Sequence, residues 1–251
     1  MKLYNELAEY YFSIESKHRD IRNDISFIRS YLTNSEQQSI LDLGCGTGEH
    51  LEALRKFGFK VSGLDSSAEM LNIAKRRYPS GINFIHKDFG HFDFYNEFDS
   101  VICLFGSMDY LLNDKDVDTL FWNSWRAMKP GGFGIFEVWH STPVKKIKNK
   151  PLTHISQTKH GNTIIERERG FDLINDAKRT IVKVNYLYKI HSKEESKTCN
   201  DIHVMRAFTL EEISAFIKSN GFIIKNVFAS SSKDIFSENS NKILIVFRKE
   251  T

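Results

Sequence analysis

The first 139 residues alternate between short apolar runs and segments whose apolar residues recur at helical spacing. The apolar runs lie at 39–43, 59–65, 82–86, 98–104 and 133–139. Each run has the length of a strand and is apolar enough to be buried on both faces, as the strands of parallel sheets are. Amphipathic helical segments separate the runs, and this alternation predicts an α/β domain with five parallel strands.

Two further regions differ from this pattern. Residues 3–32 carry two apolar faces at helical spacing, which predicts an N-terminal helical cap. Residues 140–206 lose the α/β rhythm and alternate apolar with polar positions. The alternation is clearest at 164–169, 178–188 and 201–206. We expect a small antiparallel sheet there, inserted after the fifth strand and above the ligand-binding edge.

The chain returns to the α/β pattern after residue 206. Thr209 and Glu212 have the spacing of a capping box, which opens a helix that Gly221 ends. Apolar runs at 222–228 and 242–247 predict a closing antiparallel hairpin. The predicted domains are a main domain of residues 1–139 and 207–251, whose residues 1–35 form the N-terminal helical cap, and an inserted segment of residues 140–206.

A glycine-rich stretch, residues 42–48 with the sequence Asp-Leu-Gly-Cys-Gly-Thr-Gly, joins the first strand to the first helix. Glycines at alternate positions let a backbone approach a ligand closely. The G-x-G-x-G spacing differs from the G-x-G-x-x-G of dinucleotide folds and from phosphate loops that end in G-K-[ST]. Asp65 ends the second strand, where a carboxylate can accept both hydroxyls of a ribose or, with Ser66 or Ser67, start the next helix.

The order and spacing of these motifs resemble those of class I S-adenosylmethionine methyltransferases, and the likeness covers nearly the whole chain. The stretches 50–51, 105–111, 137–140 and 201–203 are also similar to those of bacterial nucleotide-sugar N-methyltransferases, which dimethylate an amino group on a TDP-linked deoxysugar. Asp109 stands where that family usually has glycine, and His140 stands where a second aromatic residue is common. The resemblance implies a Rossmann-like sheet with five parallel strands, a C-terminal antiparallel hairpin and the insert after strand five.

The resemblance also implies S-adenosylmethionine as the cofactor, with S-adenosylhomocysteine as its product, and indicates which residues bind it. Asp65 takes the ribose, Asp88 the adenine amino group and the backbone of Phe89 the ring, while Tyr11 folds back over the cofactor. Taken alone, Asp88 is a turn former and Met70 a core residue. The full predicted set is Tyr11, Gly44, Cys45, Gly46, Gly48, Asp65, Ser66, Met70, Lys87, Asp88, Phe89, Leu104 and Phe105.

Three side chains are candidates for the chemistry. An amine must be neutral when it attacks a methyl group, so a nearby base that takes its proton assists the reaction. His140 at the end of the fifth strand and His203 in the insert are such candidates, together with Tyr11. The alternative is that both histidines are structural. The loop after the fourth strand has no clustered carboxylates, so we predict no metal site and a small-molecule acceptor.

The charge balance leaves two other functions open. The 35 basic and 32 acidic residues give a formal net charge of +3, which is too even to indicate nucleic acid. The basic stretch at 145–150 would suit an RNA or protein methyltransferase, or is a solvated loop. A catalytically silent S-adenosylmethionine-binding module is the second alternative. We expect a small-molecule substrate and no nucleic acid or membrane partner; a homodimer stays open.

The cysteines and the N-terminus bear on location. Cys45, Cys103 and Cys199 are an odd number without metal-ligand spacing, which favours a reducing compartment. The first residues have no apolar signal-peptide core, and no apolar run reaches about 18 residues. We therefore expect a cytoplasmic protein.

Overall fold

The computed structural model describes residues 1–32, 37–147, 149–193 and 195–250. Residues 33–35 of the predicted cap, Lys148 of the basic stretch and the terminal Thr251 lie outside these ranges. The strands are β1 (Ser39–Leu43), β2 (Lys60–Asp65), β3 (Ile82–His86), β4 (Phe98–Cys103), β5 (Met128–Trp139), β6 (Lys150–His160), β7 (Thr163–Ile174), β8 (Thr180–His191), β9 (Ser196–Ala207), β10 (Phe222–Phe228) and β11 (Lys242–Lys249). The α-helices are α1 (Tyr11–Glu15), α2 (Ile21–Arg29), α3 (Glu49–Arg55), α4 (Ala68–Arg77), α5 (Asp114–Ala127), α6 (Ser141–Ile147) and α7 (Leu210–Ser219).

Seven strands form the central sheet in the order β10-β11-β5-β4-β1-β2-β3. Strands β1 to β5 pair in parallel, whereas β11 runs antiparallel to both β5 and β10. The predicted five parallel strands and C-terminal hairpin are therefore confirmed. The strand order reverses between β1 and β4, and sheets of this kind bind ligands beyond the carboxyl ends of the strands at that point.

Local sequence signals start the helices that surround this edge. In α7 the Thr209 hydroxyl accepts the N–H of Glu212 at 3.1 Å, and the Glu212 carboxylate accepts the N–H of Thr209 at 2.7 Å. This is the predicted capping box. In α4 the capping residue is Ser67, whose hydroxyl accepts the N–H of Met70 at 3.1 Å. Ser66 is therefore not the helix cap, and its side chain is free to line the carboxyl-end edge of the sheet.

The insert is a second, four-stranded antiparallel sheet in the order β6-β7-β8-β9. The antiparallel sheet after strand five is confirmed, but the sequence analysis missed β6 and α6. β6 is mostly exposed, contains Pro151 and pairs with β7 through two register irregularities, so it lacks a clear alternation of apolar residues. α6 covers the start of the basic stretch, for which a solvated loop was one of the two interpretations, and it buries Val144.

Two other predicted boundaries are wrong. Residues 3–7 form turns, and the helical cap consists of the short α1 and α2 with a 3-10 turn before each of them, because the polar residues 15–20 interrupt the apolar face. β5 begins at Met128 rather than at Phe133. Its first residues pair with β4 beyond an irregularity opposite Asp99, so the proline and glycines at 130–132 bulge within the strand instead of preceding it.

The N-terminal segment lies between the insert and α4. Leu3, Leu7, Tyr11 and Ile14 are buried in one cluster with residues of β7, β8 and β9 and with Met70. This packing holds the first fifteen residues above the carboxyl ends of the parallel strands. No helix in the described part of the chain is long and apolar enough to cross a membrane.

Candidate functional site

A cavity of about 570 Å³ opens where the parallel strands end. The loops after β1, β2 and β3 line one side, together with Phe105 and Ser107 of the loop after β4. The N-terminal segment, α5 and Tyr110 line the other side. The predicted cofactor residues at its wall are Tyr11, Gly44, Gly46, Asp65, Ser66, Met70, Lys87, Asp88, Phe89 and Phe105. The structure therefore brings most of the predicted set to one place.

Three predicted cofactor residues do not line the cavity. The Cys45 side chain turns towards β2, where a Cβ on Gly63 would lie 2.7 Å from its sulfur. Gly48 starts α3 with φ +85°, and a Cβ on it would lie 3.2 Å from the ring of Phe84. Leu104 packs against the core cluster on the α2–α3 side of the sheet. All three shape the glycine-rich loop from behind.

The glycine-rich loop is held against β2, and its Gly44 position has no room for a side chain. The N–H groups of Gly44 and Cys45 donate to the carbonyl of Leu64 at 2.7 and 3.0 Å. Gly44 has φ +78°, and a Cβ on it would lie 2.5 Å from the Ser107 hydroxyl. The backbone therefore forms the floor of the cavity, close to the loop after β4.

Asp65 uses both carboxylate oxygens to fix this edge. Oδ2 accepts the N–H of Gly46 at 2.8 Å, and Oδ1 accepts the N–H of Ser67 at 2.8 Å. Burial raises the pKa of Asp65, and these two backbone donors counteract the rise. A carboxylate has about four acceptor sites, so Asp65 keeps acceptor capacity for a ligand hydroxyl at the cavity wall.

A cationic side chain that the sequence analysis missed lies beside Tyr11. The guanidinium of Arg19 donates to the Tyr11 hydroxyl and lies 4.0 Å from the centre of the Phe105 ring. Phe105 has φ +60°, an unusual conformation for a side chain of its size, and Lys242 contacts its ring at 4.8 Å. Arg19 falls in the polar break after α1, where no motif distinguishes it from its charged neighbours.

The Asp88 carboxylate is engaged within its own loop. Oδ1 accepts the N–H of Gly90 at 2.9 Å and lies 2.6 Å from Nδ1 of the exposed His91. Its other oxygen carries no protein hydrogen bond among those that the described residues make. The contact with an adenine amino group stays a prediction.

His203 belongs to a chain of hydrogen bonds that reaches the cavity. Its Nε2 lies 2.9 Å from Oδ2 of Asp201, and its Nδ1 lies 2.7 Å from the hydroxyl of Tyr110. The Tyr110 hydroxyl is in turn 2.8 Å from that of Tyr4, and both tyrosines line the cavity. His203 itself is only 2 % exposed, so it reaches the cavity through tyrosines that the sequence analysis did not select.

His140 lies away from the cavity. Its Nδ1 is 2.9 Å from the carbonyl of Ser240, its ring packs on Phe236, and its Nε2 is 3.7 Å from Glu238. It therefore joins the end of β5 to the loop before β11. The expected approach of His140 to the cavity mouth is not what the structure shows, because the side chain points to the 229–241 loop.

Asp109, which departs from the pattern of the resembled family, is fully buried. Its carboxylate accepts the N–H of Trp139 at 3.1 Å, and burial raises its pKa well above the usual range. A Cβ on the neighbouring Gly106 would lie 2.5 Å from this carboxylate. Asp109 thus ties the loop that carries Tyr110 to the end of β5.

The cavity fits the nucleoside and amino-acid parts of the predicted cofactor. A carboxylate with free acceptor sites and a glycine floor line one space, and the Arg19 guanidinium lies against the cavity-lining rings of Tyr11 and Phe105. In the ranges that the structure describes, no group of three or more histidine, cysteine or acidic side chains could hold a metal ion. The metal-free reaction stays a prediction.

Known proteins resemble this chain in sequence. The family model of a methyltransferase domain matches residues 40–132. The dTDP-4-amino-2,3,4,6-tetradeoxy-D-glucose N,N-dimethyltransferase of Saccharopolyspora spinosa is 30% identical over 186 residues, which cover 74% of this chain and 72% of that enzyme. Bacillus subtilis (strain 168) YqeM, whose name specifies a methyltransferase but no acceptor, is 29% identical over 217 residues, 85% of each chain.

The fold also recurs among solved structures. A crystal structure of an S-adenosylmethionine-dependent methyltransferase from Clostridium acetobutylicum ATCC 824 superimposes with a TM-score of 0.83. The match covers 99% of both chains at 21% sequence identity. At this identity the likeness concerns the fold, including the insert above the sheet.

Proposed function

The chain belongs to the S-adenosylmethionine-dependent methyltransferases, and we propose that it methylates the amino nitrogen of a small molecule, specifically of an amino sugar. The observation that carries the acceptor is the relation to the S. spinosa enzyme, whose name specifies an amino sugar and N,N-dimethyl transfer. The enclosed cavity supports a small acceptor, because its volume falls within the range of small-molecule sites.

The parallel-sheet side of the cavity is the proposed place of the cofactor. Asp65 holds the ribose through its remaining acceptor capacity, and the glycine loop lies beneath. Arg19 has a buried Nε without a partner, and its guanidinium lies between the two cavity-lining rings of Tyr11 and Phe105. We assign Arg19 to the carboxylate of the cofactor, since a guanidinium pairs with a carboxylate through two parallel hydrogen bonds.

When bound, S-adenosylmethionine supplies an electrophilic methyl group on a sulfonium sulfur. The protein's task is then to bind the acceptor in line with that group, to keep it neutral and to exclude water. The N-terminal segment lines the cavity opposite the glycine loop, and the insert packs behind it. They are the proposed site of acceptor binding.

Two alternatives make different predictions. An RNA or protein methyltransferase would use the basic stretch at 145–150, whose Lys146 instead donates to Asn239 at 3.2 Å. A silent binding module would bind the cofactor and transfer nothing. The hydrogen-bonded tyrosines, histidine and carboxylate at the cavity favour a catalytic site over a silent binding module.

The test uses labelled S-adenosylmethionine and dTDP-4-amino-2,3,4,6-tetradeoxy-D-glucose. We expect transfer of one or two methyl groups to the amino nitrogen, measured by mass spectrometry. The control is the matching sugar nucleotide with a hydroxyl in place of the amino group, which should remain unmodified. Transfer to total RNA or to protein but to no amino sugar would contradict the proposal.

A further inference from the structure

Four side chains form a continuous hydrogen-bonded chain from the cavity wall into the insert. Tyr4 and Tyr110 stand at the wall, His203 lies behind Tyr110, and Asp201 lies behind His203. The three links measure 2.8, 2.7 and 2.9 Å. All three distances are those of ordinary hydrogen bonds.

The inner end of the chain can only accept hydrogen bonds. Asp201 Oδ2 receives the N–H of Leu3 at 2.8 Å as well as His203, and Oδ1 receives the N–H of Ile202 at 3.0 Å. Burial acts to raise the pKa of Asp201, but the donors from His203 and from the backbone of Leu3 and Lys2 outweigh it and hold the pKa well below its usual range. Asp201 is therefore a carboxylate.

When the imidazole is neutral, this carboxylate determines which group donates each hydrogen bond in the chain. His203 must donate from Nε2 to Asp201, so its Nδ1 carries a lone pair. Tyr110 then donates to Nδ1, and Tyr4 donates to Tyr110. The Tyr4 oxygen is left with lone pairs only, and a neutral chain of this direction presents an acceptor to the cavity.

We propose that Tyr4, Tyr110, His203 and Asp201 form a proton-accepting relay for the amino group of the acceptor. This inference rests on the proposed function for the identity of the acceptor. Tyr4 and Tyr110 are the members that face the substrate, whereas His203 and Asp201 are positioning residues that act through them. Burial raises the pKa of both tyrosines well above the ordinary value, so they remain hydroxyls and pass protons rather than store charge.

The proton transfer balances along the chain. The acceptor arrives as an ammonium and gives one proton to the Tyr4 oxygen. Tyr4 gives its own proton to Tyr110, and Tyr110 gives its own to Nδ1 of His203. The amine is then neutral with a free electron pair, both tyrosines are hydroxyls again, and the imidazolium is paired with Asp201. The positive charge has moved to a buried ion pair without net change.

The groups that surround His203 define what else could titrate nearby. The N-terminal segment contributes Tyr4, the loop after β4 contributes Tyr110, β8 contributes Tyr186 and β9 contributes Asp201. Tyr186 contacts the imidazole with its ring at 5.1 Å, and its hydroxyl interacts with Arg169 instead. Tyr186→Phe therefore removes a hydroxyl beside the relay but not within it, which makes it a matched control.

The first arm of the test needs no acceptor. Long-range ¹H–¹⁵N correlation of histidine-labelled protein at pH 8 reports the tautomer of His203, whose signal is assigned by its loss in His203→Gln. We expect the proton on Nε2 and a change of the Nδ1 resonance in Tyr110→Phe but not in Tyr186→Phe. A proton on Nδ1 would overturn the relay, whatever the acceptor is.

The second arm measures kcat/KM from pH 6 to pH 10 with the amino sugar that is turned over. Positioned acid–base groups contribute about a hundredfold or more, so Tyr4→Phe and His203→Gln should lose about a hundredfold at pH 7. The loss of kcat/KM should shrink to about threefold near pH 10, because the amine is already deprotonated in water at that pH. Cofactor affinity should stay within about twofold of the parent.

The outcomes separate the relay from a structural role and from the proposed function. A loss that is equal at every pH, or no loss in Tyr4→Phe, would overturn the relay. Should His203→Gln fail to fold, Tyr4→Phe decides, since it removes one hydroxyl at the cavity wall. If no amino sugar is turned over, the proposed function fails, while the tautomer measurement still confirms or overturns the relay.

Discussion

The two walls of the cavity are built in different ways. On the parallel-sheet wall, Gly46 and Asp65 meet through a backbone N–H, and the ligand would meet main chain and one carboxylate. On the opposite wall, Tyr4 of the N-terminal segment meets Tyr110 of the loop after β4. Residues of the insert lie behind them, and these contacts join residues that are 93 to 198 positions apart in the sequence. The first wall suits a ligand common to many enzymes, and the second suits an acceptor particular to this one.

The central sheet and the insert also treat buried carboxylates in opposite ways. Asp42 on β1 has a pKa raised to about 6 by burial, while His50 and Arg19 counteract the rise. Asp201 on β9 has a lowered pKa, because donors outweigh its burial. The central sheet therefore holds a carboxyl that protonates easily, and the insert holds an anion that can stabilise an imidazolium.

The largest expected effect is on the first wall. In Gly46→Val the Cβ would lie 3.3 Å from Met70 and 3.5 Å from Tyr11, both at the cavity wall, at φ +56°. We expect cofactor affinity to fall by more than a hundredfold, about 2.7 kcal/mol, by calorimetry. Gly58→Val is the control: it has φ +89° and no atom within 4 Å of a Cβ, so it carries the same backbone strain away from the cavity. Equal affinities in the two variants would disprove the glycine floor.

Asp42 gives the next largest effect, on stability. Its folded pKa of about 6 lies above the ordinary 3.8, so the folded state binds the proton more tightly. The contribution of this group to the free energy of unfolding should therefore fall by about 2 kcal/mol as pH rises from about 4 to about 6, out of about 3 kcal/mol over its whole titration. Urea unfolding at pH 4 to 7 should show that the stability of the parent falls more with pH than that of Asp42→Asn, and the difference between the two proteins should have this size. An identical pH dependence in both proteins would contradict the assignment.

The two walls differed in how well the sequence predicted them. The G-x-G-x-G loop and Asp65 are local signals, fixed by what a strand, a turn and a helix require, so their place at the cavity followed from spacing. The link from Tyr4 to Tyr110 depends on how the N-terminal segment packs under the insert, and no periodicity encodes that. His203 was selected for its chemistry, but its burial behind Tyr110 required the three-dimensional contacts, as did the turn of His140 towards Ser240.

A smaller effect is expected at Arg19, which the sequence analysis missed. Losing a charge-assisted contact should cost about 1.5–3 kcal/mol, roughly ten- to a hundredfold. Arg19→Gln should weaken S-adenosylhomocysteine by this factor and leave 5′-methylthioadenosine, which lacks the amino-acid part, unaffected. If Arg19→Gln weakened the binding of both ligands equally, Arg19 would support the shape of the site and would not bind the carboxylate.

The smallest effect on function is expected at His140. Because it bonds to Ser240 and packs on Phe236 outside the cavity, His140→Ala should leave cofactor affinity and turnover within about twofold. Losing a buried hydrogen bond should lower the free energy of unfolding by about 1–3 kcal/mol, measured by urea unfolding. If His140→Ala lost turnover with unchanged stability, His140 would have a role in catalysis.

The central claim is that the parallel-sheet wall binds the cofactor and the opposite wall does not. Calorimetric titration of S-adenosylhomocysteine into Asp65→Asn and into Tyr110→Phe tests it most directly. Each variant changes one polar group at the cavity, one on each wall. We predict that Asp65→Asn binds roughly thirty- to a hundredfold more weakly, about 2–3 kcal/mol, and that Tyr110→Phe binds within about twofold of the parent. Equal weakening in both variants, or parental affinity in Asp65→Asn, would contradict the account.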